Sequence, residues 1–581
     1  MSKNNPKKLA IARVCIRYAA TYIVASSIFS APLGQAQTDP APATRPARSS
    51  PSAPPGPPSA SSQLPNLGDG SEMTSSAERR MGDRIAREIY RDPDYIDDPV
   101  LAEYVQGIWQ PLLTAARARG DLTPELEERF VWEIMMGKDR SVNAFALPGG
   151  YFGLHLGLLA IVTSRDELAS VLGHELSHVT QRHISRIISK QSAQAPWLVG
   201  AMILGALAAS KSPEAANALI IGGQAVAAQN QLNFSRDMER EADRIGFGVM
   251  TQAGFEPSGF VSMFEKLQQA SRHNDNGAFP YLRSHPLTTE RISDMQARLP
   301  PGGNPQASNQ SLEHAMVTAR ASVLSNPGVD ALRAWASLVA GAGFGKLDLP
   351  RQAAALYGAT LAAMRLRDLP SAAALQARLA DVIRGDATRV DATGAHAKPA
   401  DQVGAEGRAA RLARLLAVEL ALAGDDARRA VTLLDVKSAA AAAVLPPASG
   451  TAPASATPSV PVSGRPELVL SSQALVRTGQ ASAAAQQLQT WVANHPRDAQ
   501  AWQLLSSAYA AQGQSLRAIR ADAEARVAHL DYAGAADRFK AAQELARDLS
   551  RKGAADHIEA SIIDTRARQT ALLLREQAVE R

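Results

Sequence analysis

Cysteine is almost absent. The 581-residue chain has one, Cys15. It lies in an N-terminal stretch expected to be removed, so disulfides, cysteine nucleophiles and thiolate metal sites all drop out. Aromatic residues are scarce at 5%, while alanine is abundant, which favours closely packed helices. No apolar run reaches the ~20 residues that a membrane-crossing helix needs. Charge bias is weak too. The formal +5 includes five cations near the start, Lys3, Lys7, Lys8, Arg13 and Arg17, and is about zero without them. The high sequence pI therefore carries no argument for a nucleic-acid partner.

What is present suffices for two or three domains, with 45% apolar residues to build their cores. Residues 1–37 read as a secretory signal: a basic start, an apolar stretch from Tyr18 to Phe29, and small residues at Gly34-Gln-Ala36. An uncleaved anchor is the alternative, but its apolar core is short for a span. Cys15 has no Leu-x-Gly/Ala before it, against lipid anchoring. Residues 38–72 are rich in Pro, Ala and Ser and bury too little to offset their ordering entropy, so a disordered tether is expected.

From residue 73 the chain reads as globular. Met81, Ile85 and Ile89 mark one helix face, and Leu101, Val105, Ile108, Trp109 and Leu112 another. Phe130 to Met135 is bulky and β-prone. Ser141 to Leu147, Pro148-Gly-Gly150 and Tyr151 to His155 read as strand, turn and strand. If the first of these is an edge strand, Asn143 and Ala144 can hold substrate backbone; Asn143 shaping a turn is the plainer alternative.

The chemistry centres on His174-Glu-x-x-His178. Two histidines four apart share one helix face and suit two corners of a tetrahedral zinc site, with Glu175 as general base. Ser164 with Glu167 forms a capping-box pattern, and Leu168, Val171, Leu172, Leu176 and Val179 supply an apolar face. Downstream, Glu239 and Asp243 are again four apart. Glu239 can be the third ligand, and Asp243 can accept a hydrogen bond from a ligating histidine. Glu241 points elsewhere by the same geometry, and His183 is assigned a structural role. A solvated helix face is the alternative for the downstream acids.

Between these motifs, residues 196–228 hold two short apolar segments separated by Pro213 and Glu214. They read as a helical hairpin, either simply buried or making peripheral contact with a membrane or partner.

Asn143-Ala-Phe-Ala146, Gly150 to Gly153, His174-Glu-x-x-His178 with Arg182-His183, Ser235-Arg-x-x-Glu-x-x-Ala-Asp243 and Ser284-His285-Pro286 with Glu290-Arg-Ile292 form a spaced set over residues 73–300. This set resembles the zinc metallopeptidase family of HtpX proteases and CAAX prenyl endopeptidases, and within it the periplasmic, TPR-bearing BepA-like branch. The resemblance implies one zinc ion at His174, His178 and Glu239, with Glu175 as base, on a gluzincin-like α+β fold. It implies a place for His285 near the metal, capping it or stabilising an oxyanion. It implies misassembled outer-membrane proteins as substrates and docking to their assembly machinery. Zinc in such a site acidifies water and polarises a carbonyl. A chaperone or assembly scaffold with a restrained zinc site is the alternative from another class.

Residues 306–581 read as an all-α region. Leu468 and Trp502, Ala484 and Ala518, and Trp491 and Ala525 are each 34 apart, the period of a tetratricopeptide repeat. The expected domains are therefore a protease at 73–305 and TPR-like repeats at 306–581, with flexible loops near 386–408 and 444–466.

Overall fold

The computed structural model describes residues 73–191, 236–273, 279–300, 310–393, 401–435, 464–554 and 556–579. The expected signal, tether and apolar hairpin lie outside these residues. The described residues belong to one compact unit, Leu67–Arg581. It is mostly helical with one small sheet, an α+β arrangement. Among the described residues no helix is long and apolar enough to cross a membrane.

The first part runs α1 (Ser75–Arg91), β1 (Tyr95–Ile96), α2 (Pro99–Arg119), α3 (Pro124–Arg129), β2 (Glu133–Gly137), β3 (Ala144–Leu147), a 3-10 turn (Pro148–Gly150), β4 (Tyr151–His155), α4 (Leu156–Ile161), α5 (Arg165–Thr180), α6 (His183–Gln191), α7 (Arg236–Gln252), α8 (Ser258–His273), α9 (Pro280–Ser284) and α10 (Thr289–Ala297). Strand order is β1-β2-β4-β3, with β2 parallel to β4 and the other pairs antiparallel. β3 is therefore an edge strand, as its proposed use requires. The residues expected to start β2 do something else. Phe130 caps α3, and Trp132 is left-handed at φ 57°. Both aromatics turn toward the core instead: Phe130 is buried, and the Trp132 carbonyl accepts from Trp109 Nε1 at 3.0 Å. The strand starts only at Glu133.

The remaining helices are α11 (Leu312–Ser325), α12 (Val329–Ala340), α13 (Leu349–Arg365), α14 (Leu369–Thr393), α15 (Asp401–Ala423), α16 (Ala427–Leu434), α17 (Arg465–Arg477), α18 (Ala481–Asn494), α19 (Ala499–Ala511), α20 (Ser515–Ala528), α21 (Tyr532–Arg551) and α22 (His557–Val579). Of the flexible loop expected at 386–408, residues 394–400 lie outside the described residues, and the rest is helical: α14 continues to Thr393 and α15 starts at Asp401. No proline stands between Pro370 and Pro399, and the alanine- and arginine-bearing sequence propagates a helix well. Of the loop expected at 444–466, only 464–466 is described, and Arg465 and Pro466 open α17.

One hydrophobic core runs from Met81 through α11, α13 and α15 to Ala474. Three carboxylates at the start of α2 tie the later helices to it. Asp98 holds Arg320 of α11 at 2.7 Å, and Asp97 holds Arg465 of α17 at 2.6 Å. Glu103 holds Arg411, which also grips Glu467. Removing one partner from the buried Asp98–Arg320 pair costs about 3–5 kcal/mol, while the Asp97 and Glu103 pairs are half-buried and act chiefly on how the helices sit.

His314 of α11 makes a further tie. Its Nε2–H donates to the Val162 carbonyl at 3.0 Å, leaving Nδ1 to accept from the Tyr104 hydroxyl. Burial lowers its pKa from 6.5 to about 4. The unfolded chain thus binds a proton that the folded chain refuses, and stability is complete above pH 6.5 and lost as pH falls toward 4. His314→Gln should give a flatter melting-temperature profile than wild type between pH 4 and 6.5 in a thermal-melt series. Parallel profiles would refute this.

Candidate metal centre

The site is built where α5 crosses α7. Ser164 starts α5 by accepting from the Glu167 amide at 3.1 Å, while the Glu167 carboxylate takes the Thr163 amide at 2.6 Å. The capping pattern is thus used, with its return arm shifted by one residue. The helix is buried along nearly its whole length. It meets α7 at two glycines. A Cβ on Gly246 would lie 2.9 Å from the His174 amide nitrogen and 3.0 Å from the Gly173 carbonyl. Only bare backbone lets the helices approach this closely, and the approach brings Glu239 and Asp243 to the histidines.

His174, Glu175, His178, Glu239, Asp243 and His285 are all about 1% exposed or less. Donor atoms of His174, His178, Glu239 and His285 lie within 4.8 Å of one another. His174 Nε2 is 3.0 Å from His178 Nε2 and 3.3 Å from His285 Nδ1. Glu239 Oε1 is 3.0 Å from His285 Nδ1 and 3.4 Å from His178 Nε2. Zinc bonds of about 2.0–2.1 Å place tetrahedral donors about 3.3–3.4 Å apart, so the cluster has the size of one zinc coordination shell. The three nitrogens and one carboxylate oxygen are also of the right type for zinc. These residues fit the ion.

The two ligating histidines are pushed in opposite directions. Burial would lower the His174 pKa, but Asp243 and Glu239 outweigh it and raise it to about 10. His178 moves the other way, held well below its ordinary value by burial. Two nitrogens this close cannot both hold protons, and a neutral His178 is the form that can ligate. Burial would raise Glu239, yet the surrounding imidazoles, His285 foremost, hold its carboxyl well below the usual range. Burial raises the Glu175 pKa, only partly offset by His285 and His174. The Ala146 amide approaches Glu175, but neither carboxylate oxygen makes a well-formed hydrogen bond.

Three residues given no chemical part in the sequence reading frame the cluster. Arg291 holds Asp243 at 2.6 and 2.8 Å, reaches Glu239 Oε2 at 2.8 Å and donates to the Pro286 carbonyl at 2.8 Å. Asp243 Oδ1 in turn lies 2.9 Å from His174 Nδ1. Tyr281 stacks on the His285 ring at 4.7 Å. His183 contacts His178, and Glu241, which does point away from the cluster, contacts His183. Asn143 and Ala144 sit at the start of edge strand β3. Asn143 is buried, and its Oδ1 has no hydrogen-bond partner.

Gly246→Ala should destabilise the fold by about 1–3 kcal/mol through forced overpacking and weaken zinc binding. Gly107→Ala, with only Arg165 Nη2 at 3.8 Å from its Cβ, should be neutral or stabilising by about 0.5–1 kcal/mol. Thermal melts and zinc titrations of the two variants check the contrast.

Residues 104–299 match Peptidase family M48. The putative beta-barrel assembly-enhancing protease of Vibrio cholerae is 35% identical over 238 residues, 41% of this chain and 47% of that protein. The beta-barrel assembly-enhancing protease of Escherichia coli is 31% identical over 308 residues, 52% of this chain and 59% of that protein. The mitochondrial metalloendopeptidase OMA1 of Saccharomyces cerevisiae is 29% identical over 201 residues, 34% and 55% of the two chains. The chain spans about half the length of the curated relatives it matches. The resemblance carried by the spaced motifs is borne out: the segment 104–299, which holds every residue of the cluster, matches Peptidase family M48 and is similar to these metallopeptidases.

Proposed function

We propose that the chain is a zinc metalloendopeptidase of the bacterial cell envelope. One observation carries this reading: Glu175 is a buried carboxylate with no well-formed hydrogen bond, beside a buried His174, His178 and Glu239 ligand set. Such an isolated carboxylate is costly unless it has work with a proton.

Zinc held there supplies Lewis acidity toward water and a carbonyl. Glu175 takes the proton of the attacking water and delivers it to the leaving amine. The raised pKa of Glu175 suits both tasks. Asp243, clamped by Arg291, fixes the His174 ring with Nε2 turned inward. The free edge of β3 receives an extended peptide as an added strand, and the unpartnered Asn143 Oδ1 offers an acceptor for a substrate amide.

His285 restrains this machinery. Its Nδ1 stands as a fourth donor in the cluster, and its Nε2 lies 3.5 Å from Glu175 Oε1. A catalytic zinc needs an open position, so this arrangement is a closed state that must open for substrate. The same closed geometry favours a second reading, a chaperone or assembly scaffold, but an intact Glu175 supports the enzyme.

Two of the relatives are named for beta-barrel assembly. That supports misassembled outer-membrane proteins as substrates, assembly machinery as a partner, and the periplasm as location. The division we adopt is a gluzincin-like protease at 73–305 and TPR-like repeats at 306–581 that recruit partners. The successive helix pairs from α17 to α21 support the repeats.

With casein as a general unfolded substrate, Glu175→Gln should lower cleavage by about 10²–10⁴-fold at full zinc occupancy. His285→Ala should raise cleavage above wild type. No cleavage by any form despite bound zinc would sink the peptidase reading and leave the scaffold.

A further inference from the structure

We propose that His183 and Glu241 form a positioning relay that sets the tautomer of His178 and the strength with which the cluster holds its metal. The inference rests on the metal-site reading above and adds residues to it.

The geometry has a direction. When His178 Nε2 faces the cluster, its Nδ1 carries the proton. His183 Nδ1 lies 2.9 Å from it and must accept. His183 Nε2 then carries a proton and points it at Glu241 Oε2, 3.1 Å away. Arg186 Nη1 donates to the same carboxylate oxygen at 3.0 Å. Each step thus leaves one choice for the next, and the chain ends on a charged pair that leaves His178 Nε2 unprotonated and ready to ligate.

His183 is not placed there by helix periodicity. It is five residues beyond His178, off the face shared by His174 and His178. The chain reaches it through Arg182, a non-glycine residue in the left-handed region at φ 51°. Arg182 is held by Glu78 at 3.1 Å and by the Met73 carbonyl. That turn ends α5 and swings His183 back beneath His178, where it is fully buried. An uncommon backbone conformation held by two distant contacts is spent on bringing one imidazole under a metal ligand.

The two outer arms differ. His174 contacts a buried carboxylate directly, through Asp243. On its outer side, through Nδ1, His178 reaches a carboxylate by way of the His183 imidazole, and that carboxylate is 31% exposed. The first arm places negative charge close to the metal. The second orients a ligand without adding charge beside it, and it reaches the protein surface.

The plainer alternative is that His183 and Glu241 only pin α6 to α7. Zinc affinity separates the two, measured by chelator competition on the full chain, alongside cobalt(II) absorption spectra and melts of the metal-free protein. His183→Leu should weaken zinc about 10–100-fold and alter the cobalt spectrum. His183→Asn, which keeps an acceptor near Nδ1, should recover part of that loss. Glu241→Gln, at a half-buried position where folding is not at risk, should weaken zinc several-fold with an unchanged metal-free melt. If His183→Leu and Glu241→Gln bind zinc as wild type does, the relay is overturned while the metal site stands. If wild type itself binds no zinc, the metal-site reading falls and the relay falls with it.

Discussion

The crossing of α5 and α7 at Gly173 and Gly246 is the constraint on which the site depends. His174 and His178 share a face of one helix, and Glu239 and Asp243 share a face of another. Neither face has a function until the two backbones touch. A Cβ at Gly246 would press on the His174 backbone itself, so packing and metal geometry meet at one residue. The close crossing sets the distances between ligand atoms, and those distances match a single zinc ion.

Around that crossing, charge is buried in quantity and almost always answered. Arg291 serves Asp243, Glu239 and the Pro286 carbonyl together. It therefore connects the ligand set to the loop that carries His285. Farther out, Asp97, Asp98 and Glu103 each grip an arginine from the later helices. Buried and half-buried pairs of this kind add little net stability, because desolvation and solvent screening consume most of their attraction. They are strict about geometry, and here they hold the later helices to the same core that holds the site. Glu175 is the contrast: among the site's carboxylates, it has neither oxygen in a well-formed hydrogen bond.

His285 gives the centre two possible states. In the state described, its ring lies between the ligand cluster and Glu175, with Tyr281 stacked on its face. In the closed state we propose, one side chain obstructs both the open coordination position and the base. Its position follows from α9 ending at Ser284, with the His285 amide bonded back to the Tyr281 carbonyl. On that reading opening shifts this short segment, and the Gly173–Gly246 crossing of α5 and α7 lies outside it.

Sequence alone determined what helix periodicity can encode. The pairs His174/His178 and Glu239/Asp243, the Ser164 cap and the place of Glu175 beside the histidines follow from spacing and residue chemistry, because residues four apart on a helix share a face wherever that helix goes. The edge strand was legible from its neighbours, though it starts at Ala144 rather than Ser141 and leaves Asn143 just before it. The start of β2 was not, because burial of Phe130 and the left-handed Trp132 overrode β-propensity. At 386–393 and 401–408 polar composition was taken for a loop, but both stretches are free of proline and continue α14 and α15. Contacts between distant segments were decided by tertiary structure, with only His285 placed near the metal beforehand, by the resemblance. His285 meets His174 across 111 residues and Glu239 across 46. Arg291 reaches Asp243 across 48 residues, and Glu241 reaches His183 across 58. Periodicity carries no information over such separations. These contacts exist because close helix packing, a left-handed turn at Arg182 and the burial of charge leave those side chains no other place to go.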